Sequence, residues 1–322
     1  MRLIVTIPAY NEEKNIGNVI REIPRNIDGV DEVKVLVVND GSTDSTVESA
    51  IKSGADVVIS FPSNRGLAVA FKEAIVNALE MGADIIVNID ADGQYNANEI
   101  PKLVRPILEG KADIVLGDRQ VKKLDHMPLQ KKIGNIVASF VTRIASGMKV
   151  SDAQTGFRAF SREAALRINV LHGYTYVQET IIAARHKRLR VTEVPVEFRK
   201  REGKSRLISN IWSYARRAGG TIIRAYTFYN PLKTFLGIGF IVLFAGFIVG
   251  FRVLIHYLST GMVSPYLPSA VLSALLIIVG FQVMIIGLIG DMIHHLRYLV
   301  EEVLYELRKE PRRMILKSDR EL

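Results

Sequence analysis

The sequence predicts an α/β domain with a mostly parallel, doubly wound sheet, followed by a part that spans a membrane. Short β-branched runs alternate with helical segments over the first two thirds of the chain. This alternation is typical of parallel sheets. Two uncharged segments then follow, at 235–251 and 267–290. The second is long enough by itself to cross a bilayer core of about 30 Å.

The composition and net charge of the chain limit the classes of molecule that it is expected to bind. The chain has 322 residues, no cysteine and a formal net charge of +9, so disulfides are excluded. Nucleic acid, anionic lipid and phosphorylated substrates all attract a basic protein. The basic residues cluster beside the apolar segments, which favours lipid headgroups over nucleic acid. No signal peptide is expected, because a strand begins directly after Arg2.

Each predicted strand is a short apolar run, and turn residues separate it from the helix that follows. The predicted strands are residues 3–7, 33–38, 56–60, 84–89, 113–116 and 191–198, with a short strand entered from the loop at 152–160. The predicted helices end near 23, 53, 81, 108, 146 and 188. Pro195 in the last strand favours an edge position, because proline cannot donate to a neighbouring strand.

Two carboxylates follow the strand at 84–89. Asp90 and Asp92 are two residues apart, where the strand pattern gives way to Gly93. Side chains at this spacing in an extended chain point to the same side, so the two can converge on one ligand. A divalent cation would remove their repulsion, and Mg²⁺ or Mn²⁺ favours such oxygens. Gln94 adds a neutral oxygen. The simpler alternative is a polar β-turn.

Polar residues also follow other predicted strands. Residues 8–13 end the first strand, Asp40 ends the second, and residues 117–119 end the strand at 113–116. In an open α/β sheet, ligands bind at the carboxyl ends of the strands. Tyr10 would be available to contact a base there. We therefore expect one nucleotide-binding site, and the convergence of strand ends is stronger evidence than any single motif.

The C-terminal part predicts a transmembrane hairpin at 231–290, with spans at about 232–258 and 267–290. The connection between the spans carries no Lys or Arg, whereas both flanks are basic, so both termini are predicted in the cytoplasm. A buried helical pair in a soluble domain is the alternative. The sequence of residues 206–230 fits an interfacial helix and a core helix of the domain equally well. Residues 291–322 predict an amphipathic helix and a basic tail; the helix would pack on the α/β domain, a sister subunit or the membrane.

Six motifs then identify a family. They are residues 8–12, 38–44, 90–94, 117–119, 154–158 and 203–205. On these motifs, residues 1–230 resemble the family 2 inverting glycosyltransferases of the GT-A fold. Within that family they are similar to the polyprenyl-phosphate sugar synthases, typified by dolichyl-phosphate mannose synthase. The resemblance implies a GT-A domain over residues 1–205.

The resemblance also implies a role for each site residue. Arg119 and Lys131 would hold the acceptor phosphate, and Glu179 would orient groups in the site. The alternative for Arg119 is a pair with a nearby acid, such as Asp118 or Asp152, that holds the loop. Asp90, Asp92 and Gln94 would hold the metal on the donor diphosphate. Arg201, Ser205 and the rest of the loop at 203–206 would close over the donor phosphates. The residues implied to hold the donor nucleoside are Pro8, Tyr10, Asn11, Glu12 and Asp40.

This chain departs from the family pattern at three places. Asn39 stands where many members have Asp, Lys131 replaces an Arg of some members, and Arg206 replaces the usual Lys. Lysine lacks the two-point geometry of arginine, so these changes bear on how phosphate is bound.

The implied reaction is metal-dependent, inverting transfer of a sugar to a polyprenyl phosphate. The donor would be GDP-mannose, UDP-glucose or UDP-N-acetylglucosamine. The acceptor phosphate is already ionised, so no general base is needed. A membrane polysaccharide synthase would carry Gln-x-x-Arg-Trp, but Trp212 follows Asn210-Ile211. A non-catalytic binding protein would have no use for the metal ligands. A homo-oligomer through the C-terminal helix is a further expectation.

Overall fold

The computed structural model describes residues 1–125, 127–169, 176–200, 226–227 and 230–309. The chain divides into two compact units: Met1–Ile223 with Val303–Leu322, and Arg224–Glu302. Arg201, Ser205, most of the predicted interfacial helix at 206–230 and the basic tail lie outside the described residues.

The first unit contains a seven-stranded sheet with the order β3-β2-β1-β4-β6-β5-β7. The strands are β1 (Arg2–Ala9), β2 (Glu32–Asn39), β3 (Val57–Ser60), β4 (Ile85–Asn88), β5 (Ile114–Asp118), β6 (Arg158–Ser161) and β7 (Val191–Pro195). All neighbouring pairs are parallel except those that β6 makes with β4 and β5. The predicted mostly parallel sheet is therefore confirmed, and β7 is an edge strand as Pro195 indicated.

Helices cover both faces of this sheet. They are α1 (Ile16–Glu22), α2 (Thr46–Lys52), α3 (Leu67–Glu80), α4 (Ile100–Leu108), α5 (Leu129–Ser146), α6 (Arg162–Arg167) and α7 (Tyr176–His186). Apolar residues of α1 and α4 pack on one face of the sheet, and those of α3, α6 and α7 pack on the other. Alternate residues of β1 enter the two cores: Leu3 and Val5 face one side and Ile4 faces the other. Burial on both faces explains the near-continuous apolar sequence of β1.

The antiparallel strand β6 was not predicted as such from the β-α alternation. Arg158, its first residue, pairs with Asn88 of β4 and Leu116 of β5. The chain between β5 and β6 therefore leaves the sheet and returns to it at the same edge. Because α5 lies within this excursion, the fold keeps α5 at the carboxyl edge of the parallel strands.

The second unit is a pair of long helices, and both are long and apolar enough to cross a membrane. Helix α8 is Pro231–Thr260 and helix α9 is Leu267–Lys309. They pack closely at glycines spaced seven residues apart. A Cβ on Gly239 would lie 2.7 Å from the carbonyl oxygen of Gly280. The Ser273 hydroxyl donates to the carbonyl of Gly246 at 2.8 Å.

Helix α9 continues without a break past residue 290, where the membrane span was predicted to end. A charged residue such as Asp291 marks the end of an apolar segment, but it does not stop a helix. The last turns of α9 are part of the first unit. There the Tyr305 hydroxyl donates to Glu163 at 3.0 Å, and Arg308 donates to Asn169 at 2.7 Å. The last turns of α9 therefore contact the α/β domain, which is one of the three predicted packing partners.

Candidate active site

Four parallel strands end at one edge of the sheet, as predicted. Ala9 of β1 pairs with Asn39 of β2, and Thr6 of β1 pairs with Asn88 of β4. Strand β5 runs in the same direction and ends at Asp118, since β4 and β5 are both antiparallel to β6. The segments that follow these strand ends form the candidate site.

Asp90 and Asp92 lie just beyond the end of β4 and not within it. Ala91 and Asp92 form a turn, and Gly93 has a φ of 73°. The Asp92 carboxylate accepts a hydrogen bond from the backbone amide of Gln94 at 3.1 Å, which is typical of an Asx-turn. The expectation that strand alternation aligns the two carboxylates is therefore wrong. The turn brings Asp92 into the site.

Gly156, in the loop before β6, is packed against the Asp90 carboxylate. A Cβ on Gly156 would lie 2.5 Å from Asp90 Oδ2, closer than side chains approach in proteins. Its carbonyl accepts from Asn88 Nδ2 at 2.9 Å, and its amide donates to the Tyr95 hydroxyl at 3.0 Å. Burial raises the pKa of Tyr95 to about 12, so this hydroxyl stays neutral at physiological pH. Glycine is thus required here by the position of the carboxylate.

The donor set of this loop fits a divalent cation. Asp90, Asp92 and Gln94 offer the carboxylate and amide oxygens that Mg²⁺ and Mn²⁺ favour. Gln94 Nε2 donates to the carbonyl of Arg199 at 3.3 Å, which leaves the amide oxygen as the end available to a ligand. No group of three or more His, Cys, Asp or Glu side chains among the described residues forms a metal site. The candidate metal ligands are the oxygens of Asp90, Asp92 and Gln94.

Arg119 follows β5 and is fixed by a buried acid. Its Nε and Nη2 donate to the Asp152 carboxylate at 2.6 and 2.8 Å. Asp152 is 1% exposed and Arg119 is 9% exposed. The side-chain amide of Asn135, on α5, joins this pair. The orientation that satisfies its hydrogen bonds has its oxygen accepting from Arg119 Nη2 at 2.6 Å and its nitrogen donating to Asp152 at 3.3 Å. A pair with Asp152 was predicted as an alternative role of Arg119, and the structure contains this pair. Asn135 was not predicted as a site residue, because it is distant from Arg119 in sequence.

Lys131 lies on the first turn of α5, four residues before Asn135. Residues at this spacing share one face of a helix. The predicted acceptor-phosphate residue Lys131 is therefore on the face of α5 that carries the Asn135 contact to Arg119.

The predicted nucleoside loop is joined to the loop after β2. Asn11 adopts a left-handed φ of 53°, and its side-chain oxygen accepts from the Thr43 amide at 2.7 Å. The backbone amide of Asn11 donates to the Ser42 hydroxyl at 2.9 Å. Tyr10 is 39% exposed, whereas Pro8 is buried at the end of β1. Tyr10 thus offers its ring at the surface of the site, while Asn11 shapes the loop.

Asp40 has a structural role that was not predicted. Its two carboxylate oxygens accept from the backbone amides of Arg65 and Gly66 at 2.7 and 2.9 Å. A Cβ on Gly41 would lie 2.4 Å from the carbonyl carbon of Ser63. Asp40 therefore holds the loop that leads into α3. The turn signal in Asn64-Arg65-Gly66 was the available clue that this loop borders the site.

Arg158 links the loop at 153–155 to α7, which carries Glu179. It donates to the backbone carbonyls of Thr155, Ala153 and Val177 at 2.8, 3.0 and 2.7 Å. Burial lowers its pKa to about 10, and these carbonyls offset part of the cost of the buried charge. Glu179 is 2% exposed and lies two residues after Val177 in α7. Its predicted orienting role stays a prediction.

Comparison with known proteins identifies relatives of this chain. The model of the family described as glycosyl transferase family 2 matches residues 4–168. The chain is 33% identical over 217 residues to the UDP-N-acetylglucosamine–dolichyl-phosphate N-acetylglucosaminyltransferase of Methanococcus voltae, covering 61% of this chain and 84% of that protein. It is 30% identical over 299 residues to glycosyltransferase AglJ of Haloferax volcanii, covering 90% of this chain and 92% of that protein.

A similar solved structure is glucosyl-3-phosphoglycerate synthase from Mycobacterium tuberculosis in complex with Mn²⁺, UDP-glucose and phosphoglyceric acid. The TM-score is 0.55 at 25% identity, covering 70% of this chain and 79% of that chain. The mixed sheet and the acidic loop at its edge define a GT-A glycosyltransferase. The chain belongs to glycosyl transferase family 2.

Proposed function

We propose that this glycosyltransferase moves a sugar from a nucleotide sugar to the phosphate of a polyprenyl phosphate. The observation that carries this proposal is the positively charged guanidinium of Arg119, which follows the end of β5. Arg119 is held in place by Asp152 and Asn135, at the same sheet edge as Asp90 and Asp92. A positioned arginine binds a phosphate oxygen more strongly than a surface charge does. Such a site suits an anionic acceptor.

The donor side is assigned to the loops after β1, β2 and β4. Tyr10, Asn11, Glu12 and Asp40, together with Pro8, border the nucleoside. Asp90, Asp92 and Gln94 hold Mg²⁺ or Mn²⁺, which neutralises charge on the leaving nucleoside diphosphate. Arg201 and Ser205 are assigned to the donor phosphates from the resemblance alone.

The chain's own residues then bind and orient the two substrates. Arg119 and Lys131 counter the repulsion between the acceptor phosphate and the donor diphosphate. The acceptor oxygen is ionised at neutral pH, so the step needs no proton transfer to a side chain. In-line attack from the face opposite the leaving group inverts the anomeric centre. An α-linked donor gives a β-linked polyprenyl-phosphate sugar, and Glu179 acts as an orienting residue.

The membrane location is supported by α8 and α9, which are long enough to cross a bilayer. The basic flanks favour a cytoplasmic location for both termini and for the α/β domain. Apolar side chains on α9 beyond residue 290 are exposed at heptad spacing, among them Ile293, Leu296 and Val300. This pattern supports self-association through α9.

The decisive experiment is a donor screen with the purified full-length chain. Labelled GDP-mannose, UDP-glucose and UDP-N-acetylglucosamine are each incubated with a short polyprenyl phosphate and Mn²⁺ or Mg²⁺. We expect one donor to give a labelled lipid whose sugar is released by mild acid, as a glycosyl phosphate is. The matched control is the corresponding polyprenol, which carries a hydroxyl in place of the phosphate. Transfer to the polyprenol but not to its phosphate would favour a hydroxyl-using glycosyltransferase and contradict the proposal.

A further inference from the structure

Helix α5 carries a row of large apolar side chains that face away from the domain. Their spacing of three or four residues puts them in one stripe along the helix. Their exposed fractions range from 37 to 71%. We call this stripe the apolar face of α5, and its residues are Leu129, Ile133, Ile136, Val137, Phe140 and Ile144.

The opposite side of α5 packs on the domain through small and polar residues. Ala138, Ser139, Thr142 and Ala145 are buried there. The Ser139 hydroxyl accepts from the backbone amide of Ala153 at 3.1 Å. A surface helix of a soluble domain normally turns its large apolar residues inward. In α5 this arrangement is reversed, so the apolar face must be covered by something other than the domain core.

The charges around α5 indicate which kind of surface covers its apolar face. Residues 127–151 contain four basic residues and no Asp or Glu. Arg143 lies over the ring of Phe140, with 5.7 Å from its guanidinium carbon to the ring centre. Its charge can therefore stay at the boundary while the ring enters an apolar phase. A basic helix with an aromatic-bearing apolar face is the pattern of helices that lie in a membrane interface.

A second copy of this chain fits the same face poorly. A symmetric contact would place each α5 against its own equivalent. The basic flanks would then face each other with no acidic residue of 127–151 to pair with them. Anionic phospholipid headgroups supply the opposite charge, and the two membrane-length helices bring such a surface to this chain.

We propose that α5 lies in the membrane interface, with its apolar face among the acyl chains and its basic residues among anionic headgroups. The inner side of α5 carries Asn135, which bonds Arg119. Since a helix with its side chains is about 10 Å across, the Arg119–Asp152 pair then sits within about one helix diameter of the headgroup layer. This placement goes beyond the proposed reaction, because it concerns how the domain meets the lipid and not what it transfers.

Spin-label accessibility tests the placement directly, because the chain has no cysteine. Phe140→Cys is labelled in the full-length protein in liposomes that contain anionic phospholipid. The matched control is Ile51→Cys on α2, which is 58% exposed. At residue 140, collisions with oxygen should exceed those with a water-soluble nickel complex, and residue 51 should show the reverse. Nickel access at residue 140 would place α5 in water, and access of neither reagent would mean a protein cover. Either result overturns the proposal.

An activity measurement separates this placement from the proposed chemistry. Phe140→Ser/Ile144→Ser should lower transfer to a long-chain polyprenyl phosphate in liposomes by about tenfold, because the interfacial anchor is weakened. Transfer to a short acceptor in detergent should stay within about twofold, since no side chain of the reaction site is changed. Ile51→Ser is the control in both assays. Equal losses with both acceptors would indicate structural damage and reject the interfacial role. If the wild type uses no polyprenyl phosphate, the proposed function fails while the spin-label result still stands.

Discussion

The guanidinium of Arg119 and the carboxylate of Asp152 form a buried two-point ion pair, with N–O distances of 2.6 and 2.8 Å. Removal of one partner of a buried pair leaves the other charge uncompensated, which costs about 3–5 kcal/mol. Replacement of Arg119 alone therefore changes stability together with any role in binding. The two effects are separable only if Asp152 is changed as well.

The double variant Arg119→Gln/Asp152→Asn should keep the fold but lose transfer. Neutral amides in both positions leave no unpaired buried charge, so we expect a melting temperature much nearer the wild type than that of Arg119→Ala. Nucleotide-sugar affinity, measured by calorimetry, should persist in the double variant, whereas transfer to polyprenyl phosphate should fall by at least about a hundredfold. Wild-type transfer by the double variant would show that Arg119 does not bind the acceptor.

Gly156→Ala should damage the metal site. The new Cβ would lie 2.5–2.8 Å from three atoms of the Asp90 carboxyl group, so the carboxylate must move. We expect Mn²⁺ affinity in the presence of nucleoside diphosphate to fall about tenfold or more, as read by the spectrum of free Mn²⁺. Gly134→Ala on α5 is the control, since nothing lies within 4 Å of its Cβ position. Equal Mn²⁺ affinity in the two variants would show that Asp90 does not bind the metal.

Chelation should abolish sugar transfer, and Mn²⁺ or Mg²⁺ should restore it. Asp92 and Gln94 are the residues expected to complete the metal site, so Asp92→Ala should bind Mn²⁺ more weakly and respond less to added metal. The readouts are transfer across a metal titration and direct Mn²⁺ binding. Full activity of Asp92→Ala in the presence of chelator would show that sugar transfer does not require the metal.

The connection between α8 and α9 should lie outside the cell. It carries no Lys or Arg, and the flanks of the hairpin are basic. Ser264→Cys gives this cysteine-free chain a single thiol. An impermeant thiol reagent should label it in intact cells. A thiol that reacts only after lysis would mean that the hairpin is inverted or does not span the membrane.

Asp113 should make the first unit sensitive to acid. Hydrogen bonds from Arg190, at 2.8–3.0 Å, hold the pKa of the Asp113 carboxyl below its ordinary value. The stabilisation by this pair is complete above the unfolded-state pKa of about 3.9. It is lost as the pH falls through the lower, folded-state pKa. The drop in melting temperature between pH 6 and pH 3 should therefore be smaller in Asp113→Asn. An unchanged drop would mean that this pair contributes nothing.

Local pattern was sufficient for most of the fold. Apolar runs located six of the seven strands, the seventh being the short strand entered from the loop at 152–160, and the ends of β1, β2, β4 and β5 do meet at one edge. The pairing of β6 could not be read locally, because its direction depends on where the chain returns after α5. The span at 267–290 and the helix at 291–309 were predicted as separate elements, but they form one continuous helix, because hydropathy locates a membrane boundary and not the end of a helix.

The residues that support the site were harder to predict than the residues in it. Asp152 was predicted only as one of two possible partners of Arg119, beside Asp118, because the two residues of the observed pair are 33 positions apart. The resemblance assigned Asp40 to the nucleoside, and it gave no sign that the carboxylate oxygens of Asp40 accept from the amides of Arg65 and Gly66. Gly156 read as part of a motif, and only the position of Asp90 explains why a side chain is excluded there.

The glycine contacts between α8 and α9 leave the alignment of the two helices ambiguous by themselves. Gly239 and Gly246 on α8, and Gly280 and Gly287 on α9, each repeat after seven residues. A slip of one repeat would move the helices by about 10 Å and still match glycine with a close neighbour. A further glycine, Gly250, packs against Ser273, and a Cβ on Gly250 would lie 2.4 Å from the Ser273 hydroxyl oxygen. A slip of one repeat would bring Leu243 or Tyr257 to the place of Gly250, and their side chains would collide with Ser273. The contact at Ser273 therefore favours the observed alignment over its shifted alternatives.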